Sequence, residues 1–181
     1  MKHKAPPTRP DMGMLFRFFP QTDDIAEFEL LPGDDVPEPY HGLLVHEHHM
    51  TVTVEKFYGD LVDVHIIAKH HDNDDYARKI LLSLQKTGQV VQYGIMRILF
   101  RYCSDIVRDE IVAGRTPLGR ILIQHDVLRR IEPTHFLRVV PGKDMMNWFN
   151  LCEPKTTYGR LAYIHCNEQP AVELLEILAP V

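Results

Sequence analysis

The sequence predicts an α+β domain built on a single antiparallel β-sheet flanked by helices. Three observations predict it. Strand-like runs at 61–68, 78–84, 89–101, 158–166 and 171–178 are separated mostly by short turns, the arrangement of hairpins rather than of helical crossovers. A glycine–proline corner, Gly114 to Pro117, divides two short helical patterns. Finally, Arg78 and Glu176 each interrupt an otherwise aliphatic strand face.

The totals bound the class. A length of 181 residues suits one domain with a real core, and 45% hydrophobic with 25% charged residues is ordinary for a globular chain. A formal net charge of -5 argues against a nucleic-acid surface, which normally carries a basic excess. No apolar run approaches the roughly 20 residues that span a bilayer, and the basic N-terminus lacks the apolar stretch of a signal peptide. Cys103, Cys152 and Cys166 are odd in number and far apart, so they read as free thiols in a reducing, cytoplasmic compartment.

Taken in order, seven of the thirteen prolines fall within the first forty residues. They bar long helices and central strands there. Residues 1–39 therefore read as a proline-rich, partly disordered extension, with 14–19 as an edge strand or lid and 33–39 as a solvated linker. The domain proper is assigned to 40–181. Residues 40–60 open with a helix, although Thr51-Val52-Thr53-Val54 favours an extended path. In 61–68, Val62, Val64 and Ile66 alternate with Asp63 and His65, as in a half-buried strand. Counting by twos from Arg78 reaches Ile80, Leu82 and Leu84, and the return strand carries Arg97 beside Ile95 and Leu99. Ser104 caps a helix that Gly114 stops, and Pro117 starts another with Leu118, Ile121 and Leu122 on one stripe. A strand broken near Pro133, a short helix bearing Trp148, and a closing hairpin complete four to six strands. In the last of them Glu176 shares a face with Val172, Leu174 and Leu178.

A buried charge needs a partner or a ligand. Arg78 and Glu176 therefore either pair with each other, or snorkel at strand edges, or line a small pocket in which the arginine's planar fork binds a carboxylate. His46-Glu47-His48-His49, with His70, His71 and Asp72, match no metal-site spacing and read as solvated; no metal is expected. No phosphate loop or nucleophile elbow is present.

The ordered set Leu43-Leu44, Met50-Thr51, Arg78-Lys79-Ile80-Leu81-Leu82, Arg115-Thr116-Pro117-Leu118-Gly119-Arg120, Tyr158-Gly159-Arg160 and Glu173 to Pro180 resembles the chorismate lyase family (chorismate–pyruvate lyase, 4-hydroxybenzoate synthase) over about 40–181. The resemblance implies an antiparallel sheet with the ligand enclosed beneath flaps, a fold shared with effector-binding domains of a class of bacterial transcription regulators. It also implies elimination of pyruvate from chorismate to give 4-hydroxybenzoate or a related hydroxybenzoate, with no metal or organic cofactor. By the same resemblance Arg78 binds the ring carboxylate with help from backbone N–H groups at Met50 and Leu118, Thr51 joins the binding set, and Glu176 meets the ring oxygen opposite. Arg78 and Glu176 are then the catalytic pair. Tyr158 departs from the tryptophan frequent in the bacterial enzymes, and the spacings 50–78 and 130–158 differ from the compact members. The alternative is a non-catalytic domain on the same fold that binds or senses a small aromatic acid, and a third reading is a structural protein in which Arg78 and Glu176 merely pair. No helix-turn-helix is visible ahead of the domain, and neither nucleic acid nor membrane is expected as a partner.

Overall fold

A computed structural model describes residues 11–20 and 24–181. Seven antiparallel strands form one sheet in the order β1-β5-β6-β7-β4-β3-β2. The strands are β1 (Ala26–Leu31), β2 (Val62–Asp72), β3 (Asp75–Leu84), β4 (Val90–Leu99), β5 (Arg129–Pro141), β6 (Thr157–Cys166) and β7 (Gln169–Leu178). Hairpins join β2 to β3, β3 to β4 and β6 to β7, and the last closes over Asn167 and Glu168, both at positive φ. The expected break in β5 is a register shift between Pro133 and His135, where proline cannot donate to the ladder.

Six α-helices cover the two faces: α1 (Met12–Arg17), α2 (Tyr40–Leu44), α3 (Met50–Tyr58), α4 (Asp105–Ala113), α5 (Leu118–Gln124) and α6 (Lys143–Phe149). One face packs beneath α2 to α5, with Tyr76, Ile80, Leu82, Met96, Ile98 and Leu174 under Leu44, Met50, Val107, Ile111 and Leu118. The opposite face packs Leu81, Tyr93, Ile95, Leu175 and Ile177 against Leu15 and Phe19 beside α1, and against Met145 and Phe149 of α6. Alternation along each strand sorts its side chains between these two cores.

The corner between α4 and α5 forms as its residues dictate. The Ser104 side chain accepts from the Val107 N–H at 3.4 Å, and Gly114 ends α4 at φ +71°. A Cβ on Gly114 would also stand 2.6 Å from Ile66 Cδ1 of β2. Glycine is therefore required there for conformation and for space.

Three local expectations are corrected. The stretch from Met14 to Phe19 belongs mainly to helix α1, because the Asp11 carboxylate caps it by accepting from Gly13 N–H at 2.9 Å and Leu15 points into the core. Thr51 to Val54 is helical: Met50 and Val54 bury on one stripe while Val52 faces out, so helical period overrides β propensity. The proline-rich stretch also contributes to the domain. Residues 26–31 pair with β5 as the seventh strand, at the edge where flanking prolines are tolerated, and Val36 is buried rather than in a solvated linker. Of residues 1–12, expected to be disordered, Asp11 and Met12 instead cap and open α1, and 1–10 lie outside the described residues.

Candidate functional site

Arg78 lies on the sheet face beneath α2 to α5, as its strand phase predicts, and none of its surface is exposed. Its Nε donates to the Met96 sulfur at 3.4 Å and its Nη1 to the Ile111 carbonyl, in the last turn of α4, at 3.4 Å. Both acceptors are poor substitutes for a carboxylate: a thioether accepts weakly, and the carbonyl is at the long limit of a hydrogen bond. Nη2 has no hydrogen-bond acceptor among the described residues. Burial pushes the guanidinium below its ordinary pKa, which the neighbouring Tyr76 hydroxyl opposes.

Glu176 lies on the same face. The pairings Arg78↔Met96↔Leu174 and Ile80↔Gly94↔Glu176 place it two strands over and one row along from Arg78. Strand and pleat spacings put the two Cα atoms roughly 12 Å apart. The two do not pair. Glu176 instead accepts from Arg160 Nε at 2.8 Å, and Arg160 is 1% exposed. Arg160 Nη1 donates to the carbonyls of Leu44 (3.1 Å) and His46 (2.9 Å), and Nη2 to that of His48 (3.1 Å). Gly159, just before it, makes this possible: a Cβ there would stand 2.5 Å from the Glu176 carbonyl oxygen, so only glycine lets β6 approach β7 so closely.

The loop that Arg160 holds carries the 46–49 histidines: His48, like His70 and His71, is solvated as expected from sequence, whereas His46 is half-buried and His49 buried. His46 Nε2 donates to the Leu43 carbonyl at 2.8 Å, and its Nδ1 accepts from the His48 N–H at 3.0 Å. His49 Nε2 accepts from Arg129 Nε at 2.7 Å, which requires a lone pair on that nitrogen and hence a neutral ring protonated at Nδ1. Burial first, then Arg160 for His46 and Arg129 for His49, lower both pKa values to about 4. A histidine depressed in the folded state binds fewer protons there than in the unfolded chain. The stability it confers is present above its ordinary value of 6.5 and is lost as pH falls from there through about 4. Urea melts should therefore show a steeper loss of stability between pH 6.5 and 4 in the wild type than in His49→Gln, whose amide oxygen still accepts from Arg129. Equal losses in the two proteins would remove His49 from this role.

Met50, Thr51 and Leu118 open α3 and α5, and these helix starts meet where Gly119 packs: a Cβ there would lie 3.1 Å from both His49 Cβ and Thr51 Oγ1. Met50 and Leu118 share the core cluster that covers Arg78's face, and Arg120 pairs with Glu55 to tie the corner to α3. Two open clefts of about 700 Å³ flank the histidine loop. One is lined by His48, His49, Val52 and Arg129, the other by Leu43, His46, Thr53 and Phe57. Arg78 lines neither.

Other groups are accounted for. Arg97 faces the opposite core and binds Asp75 in bidentate fashion at 2.5 and 2.8 Å, with Glu173 at 3.6 Å. Burial raises the Cys103 and Cys166 thiols to about 11 and about 12, which keeps them protonated and poor nucleophiles. Among the described residues no group of three or more histidine, cysteine, aspartate or glutamate side chains is placed to hold a metal ion, and no helix is long and apolar enough to cross a membrane.

Sequence reasoning missed Arg160 and Tyr76. The signal for Arg160 was present: counting by twos gives Ala162, Ile164 and Cys166, an arginine on an apolar face just as for Arg78. Tyr76 was passed over because the strand was read from Arg78, whereas β3 begins at Asp75.

No protein-family model and no curated protein sequence matches the chain. Solved structures do. PhnF from Mycobacterium smegmatis superimposes with a TM-score of 0.52 at 12% identity, covering 75% of this chain, which spans 65% of the PhnF chain. YydK from Bacillus subtilis, described as a possible transcriptional regulator, gives 0.45 at 12% identity over 65% of this chain and 57% of its own. The C-terminal domain of Yurk from the same species gives 0.45 at 11% over 64% of this chain and 88% of its own. At such identities the likeness to PhnF is one of fold. The lyase expectation is corrected at this point: the expected catalytic carboxylate, Glu176, is bound to Arg160 rather than facing Arg78, and PhnF, which shares the fold, is not described as a lyase. The chain has the α+β, chorismate lyase-like fold, a single seven-stranded antiparallel sheet flanked by helices.

Proposed function

We propose that this chain is a non-catalytic binding domain for a small aromatic carboxylic acid, with Arg78 as the anion-binding group. One observation carries the reading. Arg160 of β6 and Arg97 of β4 each have a carboxylate partner and Arg129 of β5 donates to His49, whereas Arg78 is fully buried with no carboxylate partner among the described residues. A buried charge without a counter-ion is costly, and a ligand carboxylate supplies one. The aliphatic and aromatic side chains around it, including Ile80, Met96 and Ile111, suit a flat apolar body. Met50, Thr51 and Leu118 stand on the helices that roof this face and form the remainder of the binding set. Because Arg78 is sealed beneath α4, ligand entry requires the α4–α5 corner to shift, and Gly114 supplies its hinge. Binding is thereby coupled to a change of shape, as a sensor domain needs.

Calorimetric titration with 4-hydroxybenzoate and with its neutral amide tests the reading. The wild type should bind the acid saturably and the amide far more weakly, and Arg78→Met should weaken acid binding by at least about thirtyfold. Unchanged binding by Arg78→Met, or no binding of the acid by the wild type, would contradict it.

A further inference from the structure

Resting on the reading that Arg78 receives a carboxylate, we infer that the Tyr76 hydroxyl is the second donor to that ligand, and that the two together select a planar monoanion over phosphate. Tyr76 lies two residues before Arg78 on β3 and so faces the same side of the sheet. It is 1% exposed. Its ring is fixed by a stack on Phe100, centroids 5.3 Å apart at 24°, and by the edge of His71 at 5.6 Å. The hydroxyl oxygen is close enough to Arg78 to favour its charge, as an acceptor toward the guanidinium, while the hydroxyl proton is buried with no acceptor among the described residues.

A phenylalanine would fill this space equally well and would bury no unpaired hydroxyl. The phenol oxygen eases the burial of Arg78, but its proton is left without an acceptor, and a ligand that completes its hydrogen bond explains its presence. Of the Arg78 nitrogens, Nε and Nη1 are engaged with Met96 and Ile111, which leaves Nη2. Nη2 and the Tyr76 hydroxyl proton, donors on interacting side chains of one sheet face and both without an acceptor among the described residues, match the two oxygens of one carboxylate. A phosphate monoester brings a third oxygen and a second charge, and the Ile80, Met96 and Ile98 side chains on this face offer neither a partner.

Titrating wild type, Tyr76→Phe and Arg78→Met with 4-hydroxybenzoate and with phenyl phosphate tests the inference. The wild type should prefer the carboxylate by more than about tenfold. Tyr76→Phe should lose about tenfold in carboxylate affinity, the value of one hydrogen bond to a charged group, while its unliganded urea midpoint stays at or above that of the wild type. Equal carboxylate affinity in Tyr76→Phe, while Arg78→Met has lost it, would remove Tyr76 and leave the binding domain standing. A Tyr76→Phe protein that is also less stable would make the hydroxyl structural and overturn the inference, and equal binding of phenyl phosphate would overturn the selectivity. Absence of carboxylate binding in the wild type would overturn both readings together.

Discussion

Arg160→Ala is expected to destabilise the protein by about 3–5 kcal/mol, the usual cost of leaving one member of a buried ion pair alone. The guanidinium is 1% exposed and engages all three nitrogens: Nε with Glu176, Nη1 with the Leu44 and His46 carbonyls, and Nη2 with the His48 carbonyl. Removing it strands a largely buried carboxylate, frees three carbonyls, and releases the loop that joins α2 to α3. Because those helices roof the binding face, the damage should spread beyond the pair. Urea denaturation measures the loss directly. Arg160→Ala paired with Glu176→Gln in a double-mutant cycle should show strong coupling, since the two substitutions remove a shared interaction. A loss below about 1 kcal/mol would show that the loop is held by other contacts.

Arg78→Met is expected to act in the opposite direction, raising the stability of the unliganded protein by about 1–2 kcal/mol, because replacing poorly compensated buried charge with an apolar side chain of similar length is often stabilising. Arg78 is a suitable case because its acceptors are a thioether and a long contact to a helix carbonyl. Arg97 is the contrast. Its bidentate grip on Asp75 means that its removal should destabilise, although both arginines interrupt apolar strand faces in the sequence. Stability sacrificed at a single position for the sake of a ligand is a common mark of a binding site.

Much of this was legible in the chain, and the failures have physical causes. A period of two groups Arg78 with Ile80 and Leu82 in β3, and Glu176 with Leu174 and Leu178 in β7, as the strands have them, while register through β4 puts the two groups on one surface. The period does not supply their partners. Glu176 meets Arg160 through register between β6 and β7, and strand phase carries no information on register. Strand β1 was missed because six residues bracketed by prolines give little periodic signal, although an edge position accommodates them. His46 and His49 read as solvated because their burial depends on backbone carbonyls turned toward an arginine more than a hundred residues away, and on Arg129. Only tertiary structure creates that environment.

Equilibrium urea denaturation of wild type and Arg78→Met, each with and without saturating 4-hydroxybenzoate, is the most direct test of Arg78 as the anion-binding group. The wild-type midpoint should rise with ligand concentration as mass action requires, while Arg78→Met should start higher and not respond. A variant that starts lower than the wild type and is stabilised equally by the ligand would contradict the assignment.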